Sequence, residues 1–353
     1  MAAGTPLQVG VGIESVDDSA AAFVSHAEHL GARSVWVPES WGHDALTQLA
    51  YLAARTSTIA LGSGIAQLGT RTPTMLAMSA MSLSSLSSGR LLLGIGVSGP
   101  QVMEGWHGVQ FTSPVEATRE TIEILRTITS GERLDHQGAV YRVPLPGGAG
   151  RPMRSMAPPA RVPIYVAALG PRNLELTGEL ADGWIGNAFM PETAHAFTDH
   201  LLAGARRGGR DPGGLDLDLV IPVALEITDD VEEAAARHAA GYAFTIGAMG
   251  TQGRNFYNAA FRRQGFGDDV DAVQQLWSDG RREDAKARVP RAIGFRTNLL
   301  GPPAVLRERL RLYRAAGVTT LQVKSGTTGT RALDDIAQLI DLVREVSQER
   351  TPP

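Results

Sequence analysis

The chain has 353 residues, of which 43% are hydrophobic and 20% are charged, and its formal net charge is -4. This composition suits one large globular protein and argues against nucleic acid as the main partner. The absence of cysteine excludes a disulfide framework, thiolate metal sites and a cysteine nucleophile. We find neither a signal-peptide pattern nor an apolar run of about 18 residues, so we expect a cytoplasmic protein without a membrane partner.

Short apolar runs alternate with helical patterns along the chain. The runs predict strands over 7–13, 34–38, 59–65, 90–97, 163–169, 183–188, 217–227 and 320–323. Residues at helical spacing predict helices over about 19–30, 45–55, 73–86, 116–129, 192–207, 302–316 and 333–346, with two more that begin at about 171 and 231. This alternation is typical of a parallel sheet covered by helices. Eight such units favour an α/β fold of the closed (β/α)8 TIM-barrel type over a doubly wound open sheet.

Two segments interrupt the alternation, so we expect a single domain over 1–353 that carries two insertions. The first, at about 136–160 after strand four, combines a hairpin arm with a stretch rich in Pro and Gly. The second, at about 245–290 after strand seven, holds amphipathic segments around 255–263 and 270–277. Long excursions inside a compact domain are usually functional or packed over something. We therefore expect both to shape a substrate pocket.

Glycine-rich strand ends give three candidate binding loops. The run Gly94–Gly99 matches G-x-G-x-x-G, but Pro100 and a helical pattern follow it, so a barrel strand that widens into a loop is favoured over a dinucleotide fold. Gly62 and Gly64 indicate a bulge or a plain loop entry. The run 170–172 ends strand five and begins a helix with an arginine in its first turn, which suits either an anion site or an ordinary turn.

The loops after strands two and four carry residues that suit catalysis, because a barrel builds its active site from the loops that follow its strands. The candidates for acid–base roles or for walls of a planar ligand site are Glu39, Trp41, His43, Glu104, Trp106 and His107. His195 and His200 lie on a predicted helix without a third ligand nearby, so we expect no metal site.

The stretch 91–108, LLLGIGVSGPQVMEGWHG, resembles a signature of the luciferase-like monooxygenase superfamily. The similarity is strongest to the branch that uses the deazaflavin coenzyme F420, which includes methylene-tetrahydromethanopterin reductase. Agreement at 34–39, 61–73, 170–173 and 181–184 extends the resemblance over nearly the whole chain.

This resemblance implies a cofactor ring that lies across the barrel mouth. A bulge after strand three, often with a non-proline cis peptide, would back the ring, and Gly64–Ile65 is the peptide in question. The implied cofactor-binding residues are Ser40, Ser63, Gly64, Ile65, Val97, Ser98, Gly99, Gly170, Pro171 and Arg172. Sugar-phosphate dehydrogenases of the superfamily carry a His and a Glu where this chain has Ser40 and Pro100, so their acid–base pair is absent.

The implied activity is hydride transfer between F420 and a small organic substrate, with reduction of a C=C or C=N bond. Glu39, His43, His107 and solvent remain open as proton donors. An FMN-dependent monooxygenase with the same fold is the first alternative, and a flavin-binding protein without turnover is the second. The resemblance also implies a homodimer.

Overall fold

The computed structural model describes residues 6–210, 216–249, 255–324 and 329–349. The strands are β1 Gln8–Gly12, β2 Ser34–Val37, β3 Ala60–Ser63, β4 Ala66–Gln67, β5 Leu91–Gly96, β6 His136–Gln137, β7 Arg142–Val143, β8 Ile164–Ala167, β9 Gly183–Ile185, β10 Asp218–Glu226, β11 Leu299–Leu300 and β12 Thr320–Lys324. The helices are α1 Asp18–Leu30, α2 Ala45–Ala53, α3 Pro73–Leu86, α4 Pro100–Gly105, α5 Pro114–Thr129, α6 Pro171–Leu180, α7 His195–Arg207, α8 Val231–Ala248, α9 Phe256–Arg263, α10 Gly267–Ser278, α11 Arg282–Arg288, α12 Arg291–Arg296, α13 Pro303–Ala315 and α14 Thr330–Gln348.

Parallel pairing closes the sheet into a barrel. The order is β1, β2, β3, β5, β8, β9, β10 and β12, and β12 pairs in turn with β1. The predicted (β/α)8 TIM barrel is therefore confirmed, and each of the eight predicted strands has its counterpart. In this fold the carboxyl ends of all eight strands meet at one rim, which is the mouth of the barrel.

The outer face of the barrel explains why the strands read as apolar runs. Alternate residues such as Val11, Val35 and Leu93 are fully buried and belong to the large core between strands and helices. The helices begin and end at residues suited to those positions. Asp17 accepts a bond from the amide of Ala20 at the start of α1, and Gly31 ends that helix with φ at +106°.

The inner face of the barrel is filled differently, by a few large side chains set against glycines. Trp36, Tyr165, Ile185 and Val220 form an inner cluster that packs together within the barrel. The Trp36 indole occupies the space beside Gly62, where a Cβ atom would lie only 2.3 Å from its ring. The barrel is therefore packed rather than hollow, as expected for eight strands.

The first insertion lies at the end of the barrel opposite the mouth, so the expectation that it shapes the substrate pocket is wrong. It leaves the carboxyl end of α5 and returns to the amino end of β8, and its contacts confirm that position. The amide of Ala160 donates to Thr129 O, and the amide of Leu134 donates to Met153 O. A segment that follows a barrel helix emerges at the amino ends of the strands, whereas a TIM barrel builds its active site at their carboxyl ends.

Glu120 of α5 fastens the hairpin of this insertion. Its buried carboxylate accepts from the amides of Ala139, Val140 and Tyr141 and contacts Nε2 of His136 at 3.2 Å. Burial by itself would raise the pKa of this carboxyl. The hydrogen bonds from the hairpin amides and from His136 outweigh burial and hold the pKa below its ordinary value.

The second insertion forms a helical layer with a core of its own. Helices α8 to α12 bury side chains that include Ile246, Phe261, Val270 and Ile293, and this cluster includes Met190 from the loop after β9. The predicted segments at 255–263 and 270–277 correspond to α9 and α10. Within the described ranges, no helix has the length and apolar character needed to cross a membrane.

Candidate active site at the barrel mouth

A bulge interrupts the sheet at the mouth, where β3 ends and β4 begins. Between the pairs Gly62–Leu92 and Ala66–Ile95, the β3–β4 side advances by four residues while β5 advances by three. The extra residue falls in the segment that the resemblance marked, and the Gly64–Ile65 peptide is cis. We define this platform segment as Gly62–Ile65.

Two glycines of β5 make room for the platform segment. A Cβ atom on Gly94 would lie 1.9 Å from Ser63 O, and one on Gly96 would lie 3.0 Å from the Ile65 side chain. Ser63 is fully buried and its hydroxyl donates to Gly94 O at 2.8 Å. The first two glycines of the G-x-G-x-x-G match therefore allow the bulge to pack against β5. The Ser63 hydroxyl is engaged within the sheet, whereas Gly64 and Ile65 are half-buried at the mouth.

The loop after β5 turns sharply into α4. Ser98 has φ at +58°, in the left-handed region, and Gly99 precedes the first residue of the helix. A Cβ on Gly99 would meet only the side chain of Gln101, at 3.8 Å, so the backbone here is open on its outer side. Val97, Ser98 and Gly99 are all half-buried.

The amino end of α6 lies at the same rim. Gly170 precedes the helix and makes no side-chain cap, and Pro171 occupies the first turn. Pro171 has no N–H group and the amide of Asn173 bonds to Gly170 O, so the amide of Arg172 remains to meet a ligand. The Arg172 side chain is exposed and has no hydrogen-bond or ion-pair partner among the described residues. Asn173 Oδ1 is buried and also lacks a described partner.

Glu39, a sequence candidate for proton transfer, accepts hydrogen bonds from the chain at both of its carboxylate oxygens. One oxygen accepts from the amide of Gln67 at 3.0 Å and the other from the amide of Ala45 at 3.2 Å. Arg71 binds both oxygens, at 2.9 and 2.7 Å, and also contacts Asp44. A carboxylate with both oxygens occupied has little to offer a substrate, so this geometry favours a positioning role for Glu39.

Ser40 and the two histidines differ in their surroundings. Ser40 is exposed, and its carbonyl accepts from Nε2 of Gln67. His43 is exposed on the loop before α2. His107 follows α4 and is half-buried, and its Nε2 atom is inaccessible to solvent without a hydrogen-bond partner in the described structure. An unpaired buried ring nitrogen costs free energy, so His107 is the candidate that most needs a partner from a ligand.

The helical insertion contacts three neighbouring loops of the mouth. Nε2 of Gln101 donates to Ala248 O at 3.3 Å, next to the loop after β5. Arg263 donates to Leu169 O after β8. Gln264 donates to Ala188 O at 2.7 Å after β9 and accepts from the amide of Met190. The second insertion therefore lies at the mouth, and its role in shaping a substrate pocket stays a prediction.

Arg263 combines this contact with an unusual environment. Its guanidinium stacks over Phe197, its Nε atom is buried without a described partner, and burial lowers the pKa of the side chain. Sequence reasoning did not identify Arg263, Gln264 or Gln67, because each acts through a partner far away in the chain. Their polar character inside an amphipathic or strand pattern was the available signal. In the described ranges, no group of three His, Cys, Asp or Glu residues could hold a metal ion.

A family model described as luciferase-like monooxygenase matches residues 5–320. The chain belongs to this family. Among the relatives of this luciferase-like protein is a Mycobacterium tuberculosis protein named as a coenzyme F420-dependent oxidoreductase, 35% identical over 95% of this chain and 98% of the relative. A 5,10-methylenetetrahydromethanopterin reductase from Archaeoglobus fulgidus is 26% identical over 86% of this chain and 88% of its own length.

Solved structures confirm the luciferase-like fold. The F420-dependent tetrahydromethanopterin reductase of Methanopyrus kandleri superposes with a TM-score of 0.77 at 21% identity, covering 96% of this chain and 99% of its own. The oxygenating constituent of 3,6-diketocamphane monooxygenase from Pseudomonas putida, solved with FMN, has a TM-score of 0.67 at 17% identity, covering 98% and 100% of the two chains. The fold alone therefore does not choose between the two cofactors.

Proposed function

We propose that this protein is an F420-dependent oxidoreductase that reduces a C=C or C=N bond of a small organic substrate. The support that carries the proposal is the relative named as F420-dependent, which matches this chain nearly end to end at 35% identity. When bound, F420 supplies or accepts a hydride at its deazaflavin ring.

The residues at the mouth fit such a group. The platform segment offers a half-buried apolar surface at Ile65 for a planar ring. The open backbone at Ser98 and Gly99 and the free guanidinium of Arg172 suit a phosphate, because anions bind well at helix N-termini and beside arginine. Ser40, Val97, Gly170 and Pro171 complete the set that we propose around the cofactor.

The chain's own residues then bind the cofactor, orient the substrate and supply a proton. The second insertion excludes water from the mouth, to which it is attached through hydrogen bonds of Gln101, Arg263 and Gln264. Reduction of C=C or C=N needs a proton as well as a hydride, and His107 Nε2 is the buried nitrogen that we propose holds it. His43 and Glu39 remain alternatives, and the occupied oxygens of Glu39 make it the weaker one.

Cofactor titration tests the proposal. Purified protein is titrated separately with F420 and with FMN, followed by reduced F420 oxidation against a panel of activated alkenes and imines. We expect F420 to bind the more tightly and at least one acceptor to be reduced. Binding of FMN alone, with oxygen consumption in the presence of reduced FMN, would instead establish the monooxygenase, which the family description and the FMN-bound neighbour support. F420 binding without turnover on any acceptor would favour the non-catalytic alternative.

A matched pair of arginine variants tests the phosphate position. Arg172→Gln removes the free charge beside α6, and we expect about tenfold weaker F420 binding, because hydrogen bonds to charged groups contribute about 1.5–3 kcal/mol. Arg133→Gln removes an exposed charge at the opposite end of the barrel and should bind F420 like the wild type. Equal affinities for the two variants would exclude Arg172 from the phosphate site.

We also propose a homodimer. Helix α3 exposes Met75 and Met78 by 50% and 57%, and Leu86 at its end by 69%. Adjacent exposed apolar side chains on one helix often mark a protein interface. Light scattering at micromolar concentration should give twice the chain mass of 37.5 kDa, and Met78→Glu should shift it towards the monomer.

A further inference from the structure

The platform segment rests on the inner cluster of the barrel. Trp36 is 1% exposed, and its indole lies against Gly62, as a Cβ there would be 2.3 Å from Cε3. The Cβ atom of Trp36 is the nearest contact for a Cβ on Gly64, at 3.7 Å. Ile65 packs on the same cluster. The position of the indole therefore sets the position of the platform segment.

Two contacts set the position of the indole. Its Nε1–H donates to Ser34 Oγ at 2.9 Å. On its other side the Tyr165 ring meets it edge to face, with centroids 5.5 Å apart and planes inclined by 70°. Such pairs contribute about 0.5–1.5 kcal/mol beyond the area they bury, and they depend on geometry.

Tyr165 is held in turn from the far end of the barrel. Its phenol donates to Asp218 Oδ2 at 2.6 Å, and its ring fills the space beside Gly183. Tyr165 is 4% exposed, whereas Asp218 is exposed at the first position of β10. The buried phenol thus gains a strong acceptor while the carboxylate keeps contact with water, which avoids the cost of a buried charge.

A cavity lies beneath the pair formed by Trp36 and Tyr165. A cavity of about 310 Å³ opens at the amino ends of the strands, and its lining includes Trp36, Leu92, Tyr165, Asp218 and Val220. Trp36 and Tyr165 are only 1% and 4% exposed, so the two rings separate this cavity from the platform segment.

We propose that Tyr165 and Asp218 are positioning residues for the cofactor platform. Their hydrogen bond holds Trp36 against Gly62 and prevents both rings from relaxing into the cavity, so a contact at one end of the barrel maintains the binding surface at the other. This inference rests on the proposed function in one respect, that the cofactor ring lies on the platform segment.

Three substitutions test the hydrogen bond. Tyr165→Phe removes the donor and Asp218→Ala removes the acceptor, whereas Asp218→Asn keeps an acceptor oxygen. Asp218 lies exposed at the end of the barrel, so its variants should fold even if Tyr165→Phe does not. Tyr313→Phe is the matched control, because Tyr313 is also fully buried and its phenol bonds to Arg296 O, but it lies on α13 outside the barrel.

Two readouts separate positioning from simple stability. The δ1-methyl resonance of Ile65, assigned with Ile65→Val, should move in Tyr165→Phe and Asp218→Ala and stay in place in Asp218→Asn and Tyr313→Phe. In the same two variants F420 should bind about three- to tenfold more weakly, as expected for one hydrogen bond. The methyl readout needs no cofactor, so it decides the inference even if wild-type protein binds no F420 and the proposed function fails. Lower thermal stability with an unmoved Ile65 resonance would overturn it.

Discussion

Replacing Glu39 by glutamine separates a positioning role for this carboxylate from a role in proton transfer. In the structure its oxygens accept from the amides of Gln67 and Ala45 and from both terminal nitrogens of Arg71. A glutamine keeps the shape but offers one acceptor oxygen, and its NH2 group would face donors. At least one of these N–H groups therefore loses its acceptor.

The size of the loss in unfolding free energy follows from the burial of Glu39 and from the partner that Arg71 keeps. The side chains of Glu39 and Arg71 are only 8% and 19% exposed, so water replaces the lost contacts poorly. Removing one member of a buried ion pair costs about 3–5 kcal/mol, and an unpaired buried donor costs about 1–3 kcal/mol. Arg71 keeps Asp44 as a second partner. We therefore expect Glu39→Gln to lower the free energy of unfolding by about 2–4 kcal/mol.

The assay combines urea denaturation with single-turnover hydride transfer at saturating cofactor, using an acceptor that wild-type protein reduces. A positioning role gives a lower denaturation midpoint and a rate constant within about tenfold of wild type. A general acid would instead lose about 10²–10⁴-fold in rate with little change in stability, and that result would refute our reasoning. Glu132→Gln, an exposed site at the far end of the barrel, should change neither quantity.

Three further predictions follow from single contacts. Gly94→Ala should abolish tight F420 binding, because its Cβ would lie 1.9 Å from a backbone oxygen of the platform segment, whereas Gly105→Ala, with open space around its Cβ, should bind normally in the same titration. Glu120→Gln should lower the free energy of unfolding at neutral pH by about 2–4 kcal/mol, as measured by urea denaturation. Because the pKa of Glu120 is lowered in the folded protein, its contribution is present at neutral pH and is lost as the pH falls from the ordinary carboxyl value of 4.5 through that lowered pKa, so the difference from wild type should shrink there. Arg90→Lys should lower the unfolding free energy by about 1–3 kcal/mol, because one ammonium cannot replace a guanidinium that donates to five oxygens; equal midpoints in urea would contradict this.

The barrel was predictable because each strand and helix carries its own periodicity. The strand Leu91–Gly96 is buried at nearly every position, and its continuous apolar pattern indicates that burial. The bulge could also be predicted from the sequence, since glycine at a strand end indicates close approach of another backbone. What the local pattern does not contain is the partner, here Ser63 O against Gly94.

The location of the first insertion follows from the connectivity of the barrel. The sequence predicts a helix over 116–129, and a segment that follows a barrel helix must begin at the amino ends of the strands. Its sequence position after strand four suggested the mouth, although the helix in between reverses the direction of the chain. Connectivity therefore outweighs composition in placing such a segment.

The role of Glu39 illustrates a limit of another kind. Its position in the loop after β2 predicts that it lies at the mouth, where an acid is a reasonable catalytic candidate. Its engagement depends on Gln67 and Arg71, which lie 28 and 32 residues further along the chain. No local pattern reports whether a carboxylate will be free or bound, so geometry is needed to distinguish the two.

The G-x-G-x-x-G match shows how one pattern can arise from different physics. In a dinucleotide-binding fold these glycines let a pyrophosphate approach the backbone. Here Gly94 admits the carbonyl of Ser63 and Gly96 admits the side chain of Ile65. Both uses require close approach to a strand end, which is why the spacing alone cannot separate them. At Gly94 and Gly96 the approaching group belongs to the chain itself, so these two glycines shape the surface on which we propose the ligand lies rather than bind it directly.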